Sequence, residues 1–159
     1  TLFRSEGYWR KNMRERNDCM SDIAVKAVEN HRKGYNCAQA VACAFADRLG
    51  IDEKEIFKTM EAYGFGMGTM GTCGAVSAMA AVIGMNESDG DLNNPSTKRI
   101  CYKKMKELTQ KFIEKNQSII CREIKGVDTG VVLRSCDGCV EDAAELLEEY
   151  METNGRKDD

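Results

Sequence analysis

The sequence predicts an all-α protein, a compact bundle of about five to six helices with a glycine-rich loop before a small-residue central helix. Apolar residues recur at helical spacing along most of the chain, and residues that favour helix ends separate the periodic stretches. No stretch alternates convincingly between apolar and polar residues, as a half-buried strand would. The length of 159 residues fits one domain with a sizeable core.

Three helices are predicted in the first part of the domain, over residues 21–33, 37–49 and about 52–63. Each begins at a residue whose side chain can accept a hydrogen bond from the first turn, namely Ser21, Asn36 and Asp52. Glycine follows the first two helices, which is typical of a helix C-terminus. These signals set the boundaries of the first three elements.

A glycine-rich stretch, residues 64–74, follows the third helix and is predicted to be a loop, because glycine at this density cannot form a stable helix interior. An alanine-rich helix then runs to about Ile83. Its small side chains, which would let a second helix approach closely and would permit a homodimer, are Ala75, Ala78, Ala80 and Ala81.

The second half of the chain predicts a long helix, a short helical turn and a final helix. Pro95 suits the first turn of the long helix, which ends near Asn116. The predicted short turn covers residues 121–125, the final helix covers residues 137–151, and the segment between them is a loop in which a strand over residues 131–133 has weak support.

One helical domain is therefore expected over residues 20–151. Residues 1–19 are polar and show no clear periodicity, so we expect a non-domain N-terminal extension, either disordered or non-native. Met20 then reads as the natural start. Residues 152–159 are expected to form a solvated tail.

Composition excludes several classes of function. The net charge of −3 provides no basic footprint for nucleic acid. No apolar run approaches the ~20 residues that span a bilayer, so no membrane insertion is expected. No secretory signal is visible, and we expect a cytoplasmic protein. In a reducing compartment, many cysteines indicate metal binding or catalysis rather than structural disulfides.

Cysteine placement is the most informative feature for function. Four of the eight cysteines each open a segment that reads as a helix: Cys37, Cys73, Cys121 and Cys136. A helix start offers free backbone N–H groups and a partial positive charge, which lower the pKa of a thiol and make the thiolate a better nucleophile and metal ligand. If the four ends converge, they form a redox or metal–thiolate site.

The motifs around these cysteines resemble the C_GCAxxG_C_C family of redox-active proteins over about residues 20–151. They are Gly34-Tyr35-Asn36-Cys37-Ala38-Gln39-Ala40-Val41, Gly64-Phe65-Gly66-Met67-Gly68, Cys73-Gly74-Ala75-Val76-Ser77, Cys121-Arg122-Glu123, and Cys136 shortly before Val140-Glu141-Asp142-Ala143. The resemblance implies that Cys37, Cys73, Cys121 and Cys136 are the functional cysteines, without giving a reaction or naming the redox partner. Ala78 stands where the family motif ends in glycine.

Three functions are compatible with these residues. The favoured hypothesis is electron transfer through an iron–sulfur or other metal centre bound by Cys37, Cys73, Cys121 and Cys136. Backbone donors to the sulfur centre would come from Gly71, Thr72 and Gly74. The alternatives are a metal-free thiol–disulfide oxidoreductase, with Cys136–Cys139 as the natural pair and Cys37–Cys73 as another, and a non-catalytic module that binds zinc or copper through the same thiolates.

The remaining candidates favour ordinary structural roles. Cys43 and Cys101 lie on apolar helix faces and are expected to be core residues, while Cys139 is equally compatible with chemistry and with packing. His31 is expected to be a surface or core histidine rather than a ligand. The Gly66-x-Gly68-x-x-Gly71 pattern lacks the preceding strand that a dinucleotide site needs.

Overall fold

The structure, a computed structural model, describes residues 20–155, and the predicted extension at residues 1–19 lies outside the described residues. The all-α prediction is confirmed, although the described residues form eight α-helices rather than five or six. They are α1 (Asp22–Arg32), α2 (Cys37–Ala44), α3 (Ala46–Leu49), α4 (Glu53–Met60), α5 (Gly74–Glu87), α6 (Lys98–Asn116), α7 (Cys121–Ile124) and α8 (Cys136–Gly155).

The predicted helix over residues 37–49 is interrupted. Phe45 leaves the helical region, with φ −96° and ψ 2°, and separates α2 from the single turn α3. Phe45 is fully buried. The change of direction thus occurs at a large apolar side chain held in the core, a tertiary effect that helical periodicity does not reveal. Gly50 ends α3 in the left-handed conformation.

The glycine-rich stretch forms a tight turn over residues 66–70 instead of a plain loop, closed by a hydrogen bond of 3.0 Å from the Gly71 N–H to the Gly66 carbonyl. Phe65 before the turn and Met67 within it adopt left-handed conformations, with φ of 54° and 59°. Gly66 is also left-handed, and a β-carbon there would lie 2.4 Å from the Gly71 nitrogen. The turn therefore closes on itself only because residue 66 has no side chain.

The segment 131–133 is a loop, so the weakly supported strand is wrong. Within residues 20–155 the extended pairing consists of an isolated antiparallel bridge between Thr72 and Ile120. This bridge joins the segment before α5 to the segment before α7, and it therefore brings the starts of these two helices together.

Helices α2, α5 and α8 form the centre of the bundle. Helix α2 packs against α1, α4, α5 and α8, while α6 covers α5 and α8. Ala75 and Ala78 of α5 are fully buried in the monomer, so these two small residues serve packing inside one chain. The extra methyl group at Ala78 is accommodated in the core. The homodimer stays a prediction.

The two longest helices carry charged outer faces. An ion pair of 3.0 Å joins Lys111 of α6 to Glu149 of α8, and Lys115 lies 3.8 Å from Glu145.

Across residues 20–155, no helix combines the length and the apolar character that crossing a membrane requires. Helix α8 continues four residues beyond its predicted end, through part of the segment expected to be a solvated tail.

Candidate thiol site

The four helix-start cysteines lie around one cavity of about 210 Å³. Cys37, Cys121 and Cys136 are the first residues of α2, α7 and α8, and Cys73 is the N-cap residue of α5. Cys139, one turn into α8, lines the same cavity. The structure therefore brings together five thiols from segments that are far apart in the sequence.

A capping box fixes the start of α2 and with it Cys37. The Asn36 side chain accepts a hydrogen bond from the Gln39 N–H at 2.9 Å, and the Gln39 side chain accepts one from the Asn36 N–H at 3.1 Å. The Asn36 amide also donates to the Glu61 carbonyl at 2.9 Å. The capping box thus holds the first turn of α2, and the bond from Asn36 to Glu61 connects this turn to the end of α4.

Gly74 lets the start of α5 approach the start of α2. A β-carbon at Gly74 would lie 3.1 Å from the Ala38 nitrogen and 3.2 Å from the Cys37 β-carbon. Backbone hydrogen bonds of 2.7 Å hold the neighbouring segments, from the Cys73 N–H to the Ile119 carbonyl and from the Cys121 N–H to the Gly71 carbonyl. The glycine and these two bonds bring Cys37, Cys73 and Cys121 to one place.

The backbone donors to sulfur come from residues after Cys73. The N–H groups of Ala75 and Val76 hydrogen-bond the Cys73 sulfur. The Gly71 N–H instead donates to the Gly66 carbonyl at 3.0 Å, and Thr72 forms the bridge with Ile120. Of the three residues predicted to supply donors, Gly74 lines the cavity, whereas the Gly71 N–H is occupied within the glycine-rich turn.

Cys37 and Cys136 form a hydrogen-bonded thiol–thiolate pair. The hydrogen bond from Cys37 lowers the pKa of Cys136 to about 6; burial opposes this shift, and the charge of Lys125 adds to it. The same hydrogen bond, reinforced by burial, raises the pKa of Cys37 well above its ordinary value. Hydrogen bonding between the two thiols therefore shifts their pKa values in opposite directions and favours Cys136 as the thiolate.

Cys73 and Cys139 form a second pair of the same kind. The hydrogen bond from Cys139 lowers the pKa of Cys73 to about 7; burial opposes this shift, and the N–H groups at the start of α5 add to it. The pKa of Cys139 is raised by its hydrogen bond to Cys73 and by burial. Both pairs use one cysteine of α8, so the first turn of α8 contacts two different helix starts.

Cys121 is the fifth thiol on the cavity, and burial raises its pKa. The Lys125 ammonium lies 5.0 Å from the centre of the Phe65 ring, and both side chains line the cavity. Phe65 is 52% exposed. The cavity therefore has a positive charge and an aromatic ring beside the thiols at a point that solvent reaches.

His31 is a site residue that the sequence prediction missed. Its Nε2 lies 3.7 Å from the Cys37 sulfur, and its Nδ1 lies 2.6 Å from Asp137 Oδ1. Arg32 donates to the other oxygen of Asp137 at 3.2 Å. The signal was the short connection between α1 and α2, because a tight helical hairpin returns the end of one helix to the start of the next.

The strongest pKa couplings link pairs other than the predicted redox pairs. The sequence favoured Cys136 with Cys139, or Cys37 with Cys73, as a redox pair, and these stay predictions; the pKa shifts couple Cys37 to Cys136 and Cys73 to Cys139. Cys136 and Cys139 lie on one helical turn and meet different neighbours across the bundle. Among residues 20–155, no three His, Cys, Asp or Glu side chains are grouped closely enough to hold a metal ion.

The other cysteines of the described chain lie apart from the cavity. Cys43 is fully buried in the core, as expected, and its sulfur contacts the Glu53 carbonyl at 3.8 Å. Cys101 is half-buried and packs against the edge of the core. Cys19 lies outside the described residues.

A helical bundle that holds five thiols around one cavity, two of them with lowered pKa values, is an arrangement suited to cysteine chemistry. The chain belongs to the family described as "Putative redox-active protein (C_GCAxxG_C_C)", whose model matches residues 35–150. No curated protein and no solved structure matches it. The family match begins after His31, so it includes all five thiols but not the histidine.

Proposed function

We propose that the protein carries out thiol–disulfide exchange at Cys37 and Cys136. The observation that supports this function is that Cys37 and Cys136, at the starts of α2 and α8, line one cavity, where hydrogen bonding between them lowers the pKa of Cys136 to about 6 and raises that of Cys37. The attacking thiol in such exchange works best when its pKa lies near the ambient pH. Cys136 meets this condition, and Cys37 lies on the same cavity.

The reaction transfers two electrons from the Cys37–Cys136 dithiol to a substrate disulfide. The Cys136 thiolate attacks one sulfur of a substrate disulfide, so that a mixed disulfide forms and one substrate thiolate leaves. Cys37 then loses its proton and attacks the Cys136 sulfur, and the second substrate thiolate leaves. The substrate disulfide is reduced to two thiols while Cys37 and Cys136 become a disulfide. In the reverse direction the protein oxidises a dithiol.

The Cys73–Cys139 pair gives the site a second dithiol. Cys73 is 6% exposed and Cys139 is 2% exposed, whereas Cys136 is half-buried. Cys136, the more accessible of these cysteines, therefore meets the redox partner first, and Cys73–Cys139 exchanges with the Cys37–Cys136 disulfide inside the cavity. A reducing cytoplasm, the location expected from the sequence, would keep both pairs reduced between turnovers.

A thiolate-bound iron–sulfur or other metal centre is the second candidate. The observation that favours it is the convergence of five thiols on one cavity. Four thiolates are the usual ligand set of iron–sulfur clusters, and zinc or copper would make the site a non-catalytic binding module. The pairwise arrangement of the thiols is the reason to place exchange first.

The deciding experiment combines metal analysis with disulfide mapping on full-length protein purified anaerobically. We expect a colourless, metal-free protein that glutathione disulfide converts to a form containing a Cys37–Cys136 cross-link, identified by mass spectrometry of peptides. Cys136→Ser should abolish this reaction, and Cys101→Ser, a cysteine away from the cavity, should leave it unchanged. Stoichiometric iron with broad visible absorbance, lost in Cys73→Ser, would contradict the proposal and support a cluster. Stoichiometric zinc would support the binding module.

A further inference from the structure

We propose that His31 is the base that removes the Cys37 proton in the second step of exchange, and that Asp137 positions its imidazole ring. This inference rests on the proposed thiol–disulfide function. His31 and Asp137 come from α1 and α8, and His31 precedes the segment matched by the family model. The proposal assigns a catalytic residue to the site that the cysteine motifs do not contain.

The geometry is that of a nucleophile, a base and an orienting carboxylate. The Cys37 sulfur lies 3.7 Å from His31 Nε2, within hydrogen-bonding distance for sulfur, and Asp137 Oδ1 lies 2.6 Å from His31 Nδ1. A carboxylate on Nδ1 holds the proton on that nitrogen and leaves Nε2 with a lone pair directed at the thiol. Arg32 holds the second oxygen of Asp137 at 3.2 Å, so the carboxylate itself is fixed from two sides.

The order of the chemical steps creates the need for this base. In the resting pair, Cys37 donates its hydrogen bond to the Cys136 thiolate. Once Cys136 has entered a mixed disulfide, that thiolate no longer exists, but Cys37 must still lose its proton before it can attack. His31 Nε2 is the basic atom in contact with the Cys37 sulfur at that moment.

The step balances in protons and electrons. The Cys37 proton passes to His31 Nε2, the Cys37 sulfur bonds to the Cys136 sulfur, and the bond from Cys136 to the substrate sulfur breaks. The substrate leaves as a thiolate, which can take the proton back from the imidazolium. The imidazolium that forms in between lies beside the Asp137 carboxylate, and the opposite charge stabilises it.

Charged and titratable groups face His31 from each neighbouring element. Arg32 belongs to the same helix, α2 supplies Cys37, α8 supplies Cys136 and Asp137, and Lys125 after α7 lines the same cavity. Burial raises the pKa of Asp137, but the hydrogen bonds from His31 and Arg32 outweigh it, and the net shift is downward. Asp137 is therefore ionised wherever exchange runs, which is what a positioning carboxylate requires.

The test separates the two chemical steps in the full-length reduced protein. The protein is mixed with dithiobis(nitrobenzoate), the reaction is quenched with acid at intervals, and peptide mass spectrometry follows the mixed disulfide between Cys136 and thionitrobenzoate. In His31→Gln we expect this adduct to form within a few-fold of the wild-type rate and to persist about 100-fold longer, the lower end of the range for loss of a general base. Glu29→Gln, an exposed residue of α1 that does not line the cavity, is the matched control and should close the disulfide within a few-fold of the wild-type rate.

A second variant keeps the inference testable if His31→Gln fails to fold. Asp137→Asn retains the base but weakens its orientation, and we expect an adduct lifetime about 10-fold longer than in the wild type, less than the ~100-fold expected for loss of the base itself. Wild-type closure rates in both His31→Gln and Asp137→Asn would overturn the role of His31 and leave exchange intact. Failure of the wild-type protein to form any adduct on Cys136 would instead overturn the proposed function, and the role of His31 with it.

Discussion

A thiol that donates a hydrogen bond to a neighbouring thiolate spreads the negative charge over both groups and so stabilises it. In this protein Cys37 performs this role for Cys136, and Cys139 performs it for Cys73. The shift has a tertiary origin, because the donor and the acceptor belong to different helices. The helix start adds backbone donors in the case of Cys73. The neighbouring thiol stabilises the thiolate form of Cys136 and of Cys73, and the backbone donors add to this effect at Cys73.

The pH dependence of alkylation tests the charge on Cys136. Because the thiolate is the reactive form, its rate should rise with pH and reach half its maximum near pH 6, the lowered pKa of Cys136. In Cys37→Ala the donor is lost and the pKa rises, so the midpoint should move to higher pH and the rate at pH 7 should fall. The measurement is iodoacetamide labelling followed by peptide mass spectrometry. An unchanged midpoint in Cys37→Ala would contradict the paired arrangement, and Cys101→Ser serves as the control.

Sequence patterns reveal which cysteines begin helices but not which sulfur meets which. The starts at Cys37 and Cys136 follow from the capping residues Asn36 and Ser135, which are local signals, whereas the turn that begins at Cys121 has no side-chain cap. The pairing of Cys37 with Cys136 depends on how α2 and α8 cross, and that is decided by packing of the whole core. His31 was missed for the same reason, since its two partners lie on other helices.

The glycines before α5 act at the scale of elements, by allowing backbone segments to come close. Gly66 and Gly68 lie in the same turn and both have positive φ, 59° and 74°. A β-carbon at Gly66 would lie 2.4 Å from the Gly71 nitrogen, whereas at Gly68 it would meet no atom within 4 Å. The two positions therefore separate steric crowding from the cost of a left-handed conformation.

Replacing each of these glycines with alanine should give different losses of stability. Both variants incur the left-handed cost of about 1 kcal/mol. Gly66→Ala should lose about 1–3 kcal/mol more, because the added methyl group must displace backbone. Denaturant unfolding of the reduced proteins measures the difference, with Gly68→Ala as the matched control. Equal losses of unfolding free energy in the two variants would contradict this expectation, because they would mean that the backbone around Gly66 accommodates a methyl group at no cost in stability.

The predicted helix boundaries agree with the structure where a capping side chain fixes the start of the helix. They differ where tertiary packing decides the boundary. Ser21 and Asn36 begin their helices as predicted. The long helix begins at Lys98 rather than Pro95, and the predicted second helix breaks at Phe45. Glycine content indicated an irregular segment at residues 64–74, but the tight turn within it depends on the contact between Gly66 and Gly71.

At the scale of the whole molecule, the thiol site joins the beginning of the domain to its last helix. Cys37 lies at the start of α2 and Cys136 at the start of α8, and both helices belong to the centre of the bundle. A covalent bond between them would constrain most of the chain in the unfolded state. The redox state of the site should therefore change the stability of the entire fold.

Oxidation of the Cys37–Cys136 pair should raise the free energy of unfolding by about 5 kcal/mol, because the cross-link closes a loop of about 100 residues. Urea unfolding of the oxidised and the reduced protein, with free thiols blocked, measures the change. Cys136→Ser should show no increase through this pair on treatment with glutathione disulfide. Equal midpoints for the two redox forms of the wild type would mean that the disulfide strains the native fold as much as it restricts the unfolded chain.

The two thiol pairs also set how many electrons one molecule can give up. In the proposed exchange, each dithiol pair donates two electrons, so a fully reduced protein can donate four. The buried Cys73–Cys139 pair can reduce the Cys37–Cys136 disulfide without an external electron donor. One molecule could then reduce two substrate disulfides in succession before it needs recharging. The site in this sense stores electrons in two dithiol pairs: Cys136 delivers them to the substrate, and Cys73–Cys139 replaces them.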